Sequence, residues 1–284
     1  MKTKALSRIG FFITLLLFVV SCQTERNTGN FIFNTVKENT EAHLFNDTNN
    51  PSCNLSIEYT YIKNSSQEVL KDTLNNYLTT LFFGDSYVNR PIEEIITDYT
   101  NDYVQTYKSD LESLFKEDKE INKENGESIG PWYNYEKTLN SNIESYNKDL
   151  LVYKIYYQEY TGGAHGIYST NYYNFDLKTK MILKLEDIFV PNYKKALVEE
   201  IWRQLIKDNK VSTKEELRDM GYEYSDELSP TSNFKLDKQS ITFLYNVYEI
   251  APYSMGSISI TIPYAQITHL FNSNPIWQSI YEIK

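Results

Sequence analysis

The residues best suited to chemistry lie between Tyr153 and Tyr173, in the run YKIYYQEYTGGAHGIYSTNYY. One histidine, His165, stands among Gly162, Gly163 and Gly166, and seven tyrosines, including Tyr160 and Tyr168, flank it. The glycines admit backbone conformations closed to other residues, which suits a tight turn between two strands. Two readings follow. In one, aromatic cross-strand pairs pack a hairpin and His165 is held by structural hydrogen bonds. In the other, the tyrosines form a binding surface for a sugar or a protein, since each offers a ring face and a polar tip at low entropy cost. The chain has 25 tyrosines in all, so local density alone does not separate the two.

Complete catalytic sets are missing from the sequence. His43, His165 and His269 are its three histidines, and none is paired at metal-ligand spacing, so no zinc site is expected. There is no His-Glu-x-x-His, no Gly-x-Ser-x-Gly and no phosphate-binding glycine loop. A calcium site built from scattered carboxylates stays open. Phe83-Gly84-Asp85-Ser86 resembles the nucleophile block of GDS-type esterases, which also need an aspartate three residues before a late histidine. Gln266, Gly162 and Thr40 occupy that position here. Gly84 also ends a helical pattern, so the fragment reads as a helix cap and turn. No catalytic residue, metal or cofactor is assigned. The enzymatic alternative is a wall-sugar enzyme using acids such as Glu159 or Asp176, and it requires a carboxylate pair about 5–10 Å apart.

These residues need elements to position them. Leu55, Ile57, Tyr59 and Tyr61 alternate with polar residues as in a half-buried strand. An apolar stripe from Val69 to Phe82, and a second from Ile92 to Phe115 opened by Pro91 and Glu93-Glu94, mark two helices. The charged segment Lys116–Gly130 reads as a loop. Period-two patterns then predict strands around 138–146, 150–160 and 166–177, with a short partner at 180–185. A helix over 192–209 follows, then a short helix capped by Ser212-Thr213-Lys214-Glu215 and closed by Gly221, and strands at 241–248 and 256–263. Strands and helices come in blocks. That predicts an α+β fold with antiparallel or mixed sheets, helices packed on one face, and two small subdomains, 51–166 and 167–284.

The amino terminus has a different character. Lys2, Lys4 and Arg8 precede the apolar run Phe11–Val20, which ends in Val19-Val20-Ser21-Cys22. This is the charged and apolar layout of an export signal, too short to span a bilayer comfortably, closing on a lipobox-like cysteine. Residues 1–21 are therefore expected to be a lipoprotein signal peptide, with Cys22 carrying the lipid and holding the chain on a membrane of the bacterial envelope. Residues 22–50, polar and rich in Asn and Thr, read as a flexible tether. Residues 1–21 hold three of the 28 Lys+Arg and none of the 38 Asp+Glu, so the mature chain has 25 against 38, a net charge of −13. That balance argues against nucleic acid and favours basic partners. Cys53 is the one thiol left after lipidation, so no internal disulfide can form.

Three pieces together resemble a known family. They are Tyr160–Gly166 with the following Tyr172-Tyr173-Asn174-Phe175-Asp176-Leu177-Lys178-Thr179, then Leu185–Phe189, then Phe243–Gly256 with Ile262-Pro263-Tyr264. In this order they are similar to the extracytoplasmic PdaC/RsiV-like proteins, over roughly residues 51–270. Lys180 departs from the glycine many relatives carry after the Asp-Leu-Lys-Thr turn. The resemblance implies an ectodomain that, in the anti-sigma branch, binds lysozyme. Deacetylase members owe catalysis to a separate metal-dependent domain whose motifs are not found here. The reading is thus a non-enzymatic envelope binding protein for lysozyme or peptidoglycan, with Tyr160, Gly162, Gly163, His165, Gly166, Tyr168, Pro252 and Tyr253 as the ligand-binding candidates. A purely structural lipoprotein is the remaining alternative.

The anchor assignment has a direct test. Cells expressing the chain and fed an alkyne analogue of palmitate should label the wild-type protein and not Cys22→Ser; label retained by the variant would place the lipid elsewhere.

Overall fold

The computed structural model describes residues 31–125, 130–222 and 228–280. Cys22 and the signal-like residues 1–21 lie outside them. The chain opens with β1 (Ile32–His43) and β2 (Ser52–Asn64), an antiparallel pair running from Ile32↔Asn64 to His43↔Ser52. Twelve residues of the expected tether, 32–43 of 22–50, are therefore strand. Its polar sequence is tolerated because β1 is the edge of its sheet: the ladder is made by backbone groups, and an edge strand covered on one face needs little apolar alternation. Cross-strand pairs add specificity, with Lys37 Nζ 2.6 Å from Glu58 and the Thr35 and Thr60 hydroxyls 2.8 Å apart.

Helices α1 (Glu68–Phe83) and α2 (Ile92–Asn125) carry the chain across the sheet to β3 (Tyr135–Tyr146), which runs parallel to β2. Gly84 caps α1 at φ +103°, as the pattern before it requires. α2 extends ten residues into the segment expected to be a loop. Lys, Glu and Asp are good or neutral helix formers at solvent positions, and Asp118 accepts a 2.7 Å hydrogen bond from the Tyr133 hydroxyl, tying that extension to the body.

Strands β4 (Leu150–Thr161), β5 (Ile167–Asp176) and β6 (Met181–Ile182) complete a six-stranded mixed sheet in sequential order. α3 (Leu185–Ile188), α4 (Tyr193–Asn209) and α5 (Lys214–Asp219) then lead to β7 (Phe234–Leu236), β8 (Ser240–Tyr245) and β9 (Ile258–Pro263), a separate antiparallel sheet. α6 (Tyr264–Ile267) and α7 (Ile276–Ile280) close the described chain. Thr213, accepting from the Glu216 amide, is the observed cap of α5, and Glu216 reaches back to the Ser212 amide, one residue later than the box read from sequence.

The α+β architecture is as expected, and the division at 166/167 has a definite place in it. It falls in the turn of the β4–β5 hairpin, whose strands pair from Glu159↔Ile167 to Leu150↔Asp176. Both strands belong to the amino-terminal sheet, because antiparallel neighbours joined by a glycine turn pair locally.

Two cores share that sheet. Leu151, Tyr153 and Ile155 of β4 point into a core with α1 and α2, while Leu150 and Val152 point into the core of the second unit with α4 and β7–β9. Three asparagines fasten the second unit to β5. Asn174 donates to Phe234 O (2.7 Å) and accepts from Leu236 N (3.0 Å). Asn233 accepts from Tyr172 N and donates to Thr170 O. Asn246 accepts from Thr170 N (2.8 Å). Each side-chain amide takes the place of a strand's backbone: Asn233 and Asn246 satisfy groups of β5, and Asn174 groups of β7.

Because β4 serves both cores, the units should unfold together. Leu151→Ala removes bulk from the amino-terminal core alone and should cost about 2–5 kcal/mol, yet it should also lower the urea midpoint reported by Trp202 and Trp277 in the other core. A Trp signal that keeps its wild-type midpoint would show two independent folding units.

Candidate functional site

The β4–β5 turn and the loop after β8 lie side by side. His165 stacks on Tyr253 with ring centroids 4.0 Å apart and planes 21° from parallel. Tyr168 meets the same Tyr253 ring edge-on at 5.8 Å, and Tyr248 lies 5.6 Å from it. The Tyr248 hydroxyl is 3.1 Å from His165 Nε2, and His165 Nδ1 is 3.0 Å from the Gly166 carbonyl. A carbonyl only accepts, so Nδ1 carries a proton, and in the singly protonated ring Nε2 accepts from Tyr248. His165, Tyr248 and Pro252 are exposed, and Tyr168 and Tyr253 are half-buried. The result is an aromatic surface with a histidine at its centre.

Backbone constraints fix the arrangement. Gly162 sits at φ +85°, and a Cβ there would come 2.1 Å from the Trp132 carbonyl oxygen; a Cβ at Gly166 would lie 2.8 Å from the Glu159 carbonyl oxygen. Gly256, at φ +74°, lets the Tyr168 hydroxyl approach within 3.3 Å of where its Cβ would stand. Gly163 is under no such pressure, its nearest neighbour being 3.8 Å away. Tyr248 adopts φ +70°, an unusual conformation for a tyrosine, which turns its exposed ring toward His165.

Of the residues singled out in the sequence, His165, Tyr168, Tyr253 and Gly166 meet in one cluster, and Gly162 shapes its turn. Pro252 lies beside Tyr253. Tyr160 stands apart, half-buried on β4 opposite Glu136, and takes no part in the ring contacts of the cluster. Tyr248 was missed, although it lies inside the Phe243–Gly256 motif; only a left-handed backbone brings it back to the histidine, and side-chain type does not announce that.

The two acids of the enzymatic alternative are far apart. Glu159 lies opposite Ile167 at one end of the hairpin and Asp176 opposite Leu150 at the other. The nine residue steps between those positions span about 30 Å, so Asp176 is not near the glycine turn. It is buried and accepts from the Lys178 backbone in the turn after β5. Glu159 pairs with Lys137 at 3.1 Å and accepts from the Tyr157 hydroxyl. Among the described residues no group of three or more His, Cys, Asp or Glu is placed to hold a metal ion. No helix among them is long and apolar enough to cross a membrane.

A six-stranded sheet carrying a second α+β unit on its β4–β5 face defines a class. The profile of "Deacetylase PdaC" matches residues 46–168, and that of "Protein of unknown function (DUF3298)" matches residues 186–265. A PdaC-type domain points to an extracytoplasmic location. The crystal structure of a DUF3298 family member from Bacteroides fragilis NCTC 9343 is similar over 90% of this chain and 99% of its own, at 46% identity and a TM-score of 0.84. The chain belongs to the DUF3298 family. A DUF3298 family protein from Pseudomonas aeruginosa PAO1 shares the fold at 15% identity, with a TM-score of 0.59 over 86% of this chain and 95% of that one. No curated protein matches the chain.

Gly162→Ala should be among the most damaging small substitutions in this region, since it combines a positive φ with a backbone clash. We expect a stability loss well above the roughly 1 kcal/mol typical of a glycine-to-alanine change at a strained position, measured by urea denaturation. Gly163→Ala should stay near wild type, and equal losses at both positions would contradict the geometry.

Proposed function

We propose that this chain is a non-enzymatic binding protein of the bacterial envelope, anchored through lipid on Cys22, which presents the His165–Tyr168–Tyr248–Tyr253 surface to a basic wall-active protein such as lysozyme, or to peptidoglycan. One observation carries this reading: rings from two loops some eighty residues apart converge on an exposed histidine instead of being spent in either core. Exposed aromatic clusters with polar tips are what recognition surfaces are made of. The net charge of −13 after residues 1–21 favours a basic partner, chiefly through the rate of encounter.

Two further points support binding over catalysis. Glu159 is engaged by Lys137 and Tyr157, and Asp176 lies about 30 Å along the strand. The anchor reading also gains a dimension. With β1 starting at Ile32, nine residues lie between it and Cys22, a reach of at most about 35 Å over the ten Cα-to-Cα steps. That is a shorter leash than a tether to residue 50 would give, and it joins the sheet at the end opposite the glycine turn, since Ile32 pairs with Asn64 whereas Tyr135 lies between Cys53 and Thr161.

Calorimetric titration of residues 23–284 with lysozyme and with muropeptides tests the reading. Binding to at least one is expected, and Tyr253→Ala and His165→Ala should each weaken it about tenfold or more, the cost of losing a central aromatic anchor. Absence of binding to both would refute the proposal, and wild-type affinity in both variants would move the surface elsewhere.

A further inference from the structure

A second concave site lies on the opposite face of the same hairpin. The helix-side face of β3 and β4 presents Tyr135, Lys137, Tyr157 and Glu159, and α2 passes above it. Between them is a cleft of about 390 Å³, within the size range of small-ligand sites, roughly 300–1,000 Å³.

The lining of the cleft follows from two rows on α2. Tyr99, Tyr103 and Tyr107 recur every four residues and line the wall; Asp102, Thr106 and Asp110 recur in the same way one position earlier and form an exposed rim. The tyrosine row spans about 12 Å of helix axis; Tyr99 and Tyr103 are half-buried and offer their rings to the cleft, while Tyr107 is buried behind them with its hydroxyl donating to the Tyr133 carbonyl. Burial raises the hydroxyl pKa of Tyr99, Tyr103 and Tyr107, so these groups remain hydroxyls over the whole physiological range. At the floor, Lys137 Nζ lies 5.9, 5.6 and 5.5 Å from the rings of Tyr99, Tyr103 and Tyr157 and 3.1 Å from Glu159.

This chemistry discriminates between ligand classes. A cation would favour the rings, but the cation-π position is already filled by the chain's own lysine, which would repel a second positive charge. An anion would meet Asp102, Asp110 and Glu159. What remains is a neutral ligand with apolar faces for the rings and many hydroxyls for the rim carboxylates, whose charge-assisted hydrogen bonds are the strong ones. We infer that this cleft binds a neutral pyranose saccharide, one or two rings of a glycan, between the tyrosine strip of α2 and the Lys137–Glu159 pair. The inference does not rest on the His165–Tyr253 surface, with which the cleft shares no residue. Asp102 and Asp110 are themselves separated by about 12 Å along the helix axis, more than a two-carboxylate mechanism uses.

Residues 23–284, labelled with ¹⁵N, can be titrated with N,N′-diacetylchitobiose, cellobiose and maltose and followed by amide shifts. At least one disaccharide should bind, with shifts centred on residues 99–110 and 135–137. The double variant Asp102→Asn, Asp110→Asn changes two exposed side chains, and the Asn amide oxygen can still accept from the Tyr87 hydroxyl that Asp102 holds at 3.1 Å. The variant should keep the wild-type melting temperature and bind about tenfold or more weakly, while Tyr253→Ala binds the sugar normally. The inference fails if no disaccharide binds tighter than about 10 mM, if shifts centre on the His165–Tyr253 loops, or if the double variant binds as wild type. It also fails if tetramethylammonium, the cation probe, binds this cleft in preference to the sugars. Loss of lysozyme binding with sugar binding intact would count against the proposed function alone.

Discussion

The structure depends on one strand being buried from both sides. At Leu150–Tyr153 four consecutive residues of β4 are essentially inaccessible to water. Side chains on a strand alternate in direction, so such a run can only arise where both faces of the sheet are covered. The helices α1 and α2 cover one face and the second unit the other. The register of β4 is therefore pinned twice, since a one-residue slip would exchange the contents of two cores at once. Few positions in an antiparallel sheet are so strongly specified.

The second unit reaches that face with polar joints as well as apolar packing. Asn174, Asn233 and Asn246 act as short surrogate strands, each using both halves of an amide against backbone groups of β5 or β7. Buried amides of this kind are costly when half-satisfied and directional when complete. They fix where β8 ends relative to β5, and the loop that follows Asn246 carries Tyr248 and Tyr253. The position of the aromatic surface is thus a consequence of the joint: two residues beyond the last asparagine, the left-handed backbone at Tyr248 turns its ring onto His165.

Legibility in the sequence followed the strength of the hydrophobic period. β2, β4, β5 and α4 show clear alternation or helical stripes, and their limits fell within a few residues of the structure. β1 did not, because an edge strand facing solvent on one side is stabilised by backbone pairing and needs few apolar residues, so Asn, Thr, Glu and Lys fill it without harm. The end of α2 was hidden for a related reason, its last turns being charged where they leave the core. The glycine turn at 166/167 joins two paired strands and also lies where the PdaC match ends, at residue 168, so one local signal serves both a hairpin and a boundary. For the site, glycine spacing revealed the turn and motif order paired it with the second loop. The asparagine joints and Tyr248 gave no signal, since their roles come from tertiary geometry and not from local pattern.

The same alternation that buries β4 in its first half separates two surfaces in its second. Beyond Ile155 the covering units recede, and successive residues emerge on opposite sides: Tyr156 and Gln158 on the face of the second unit, Tyr157 and Glu159 on the face of α2. Tyr168 stands opposite Gln158 and reaches the His165–Tyr253 cluster, whereas Lys137 stands opposite Glu159 and enters the tyrosine-lined cleft. A single hairpin therefore supplies residues to both sites without either sharing a side chain. Substitutions on one face should leave the chemistry of the other intact, but a change in the pairing register of the hairpin would disrupt both. Gly162 and Gly166, which allow the strands to turn where they do, thereby hold the two surfaces in their relative positions, and this asks more of the glycine pair than closing a loop.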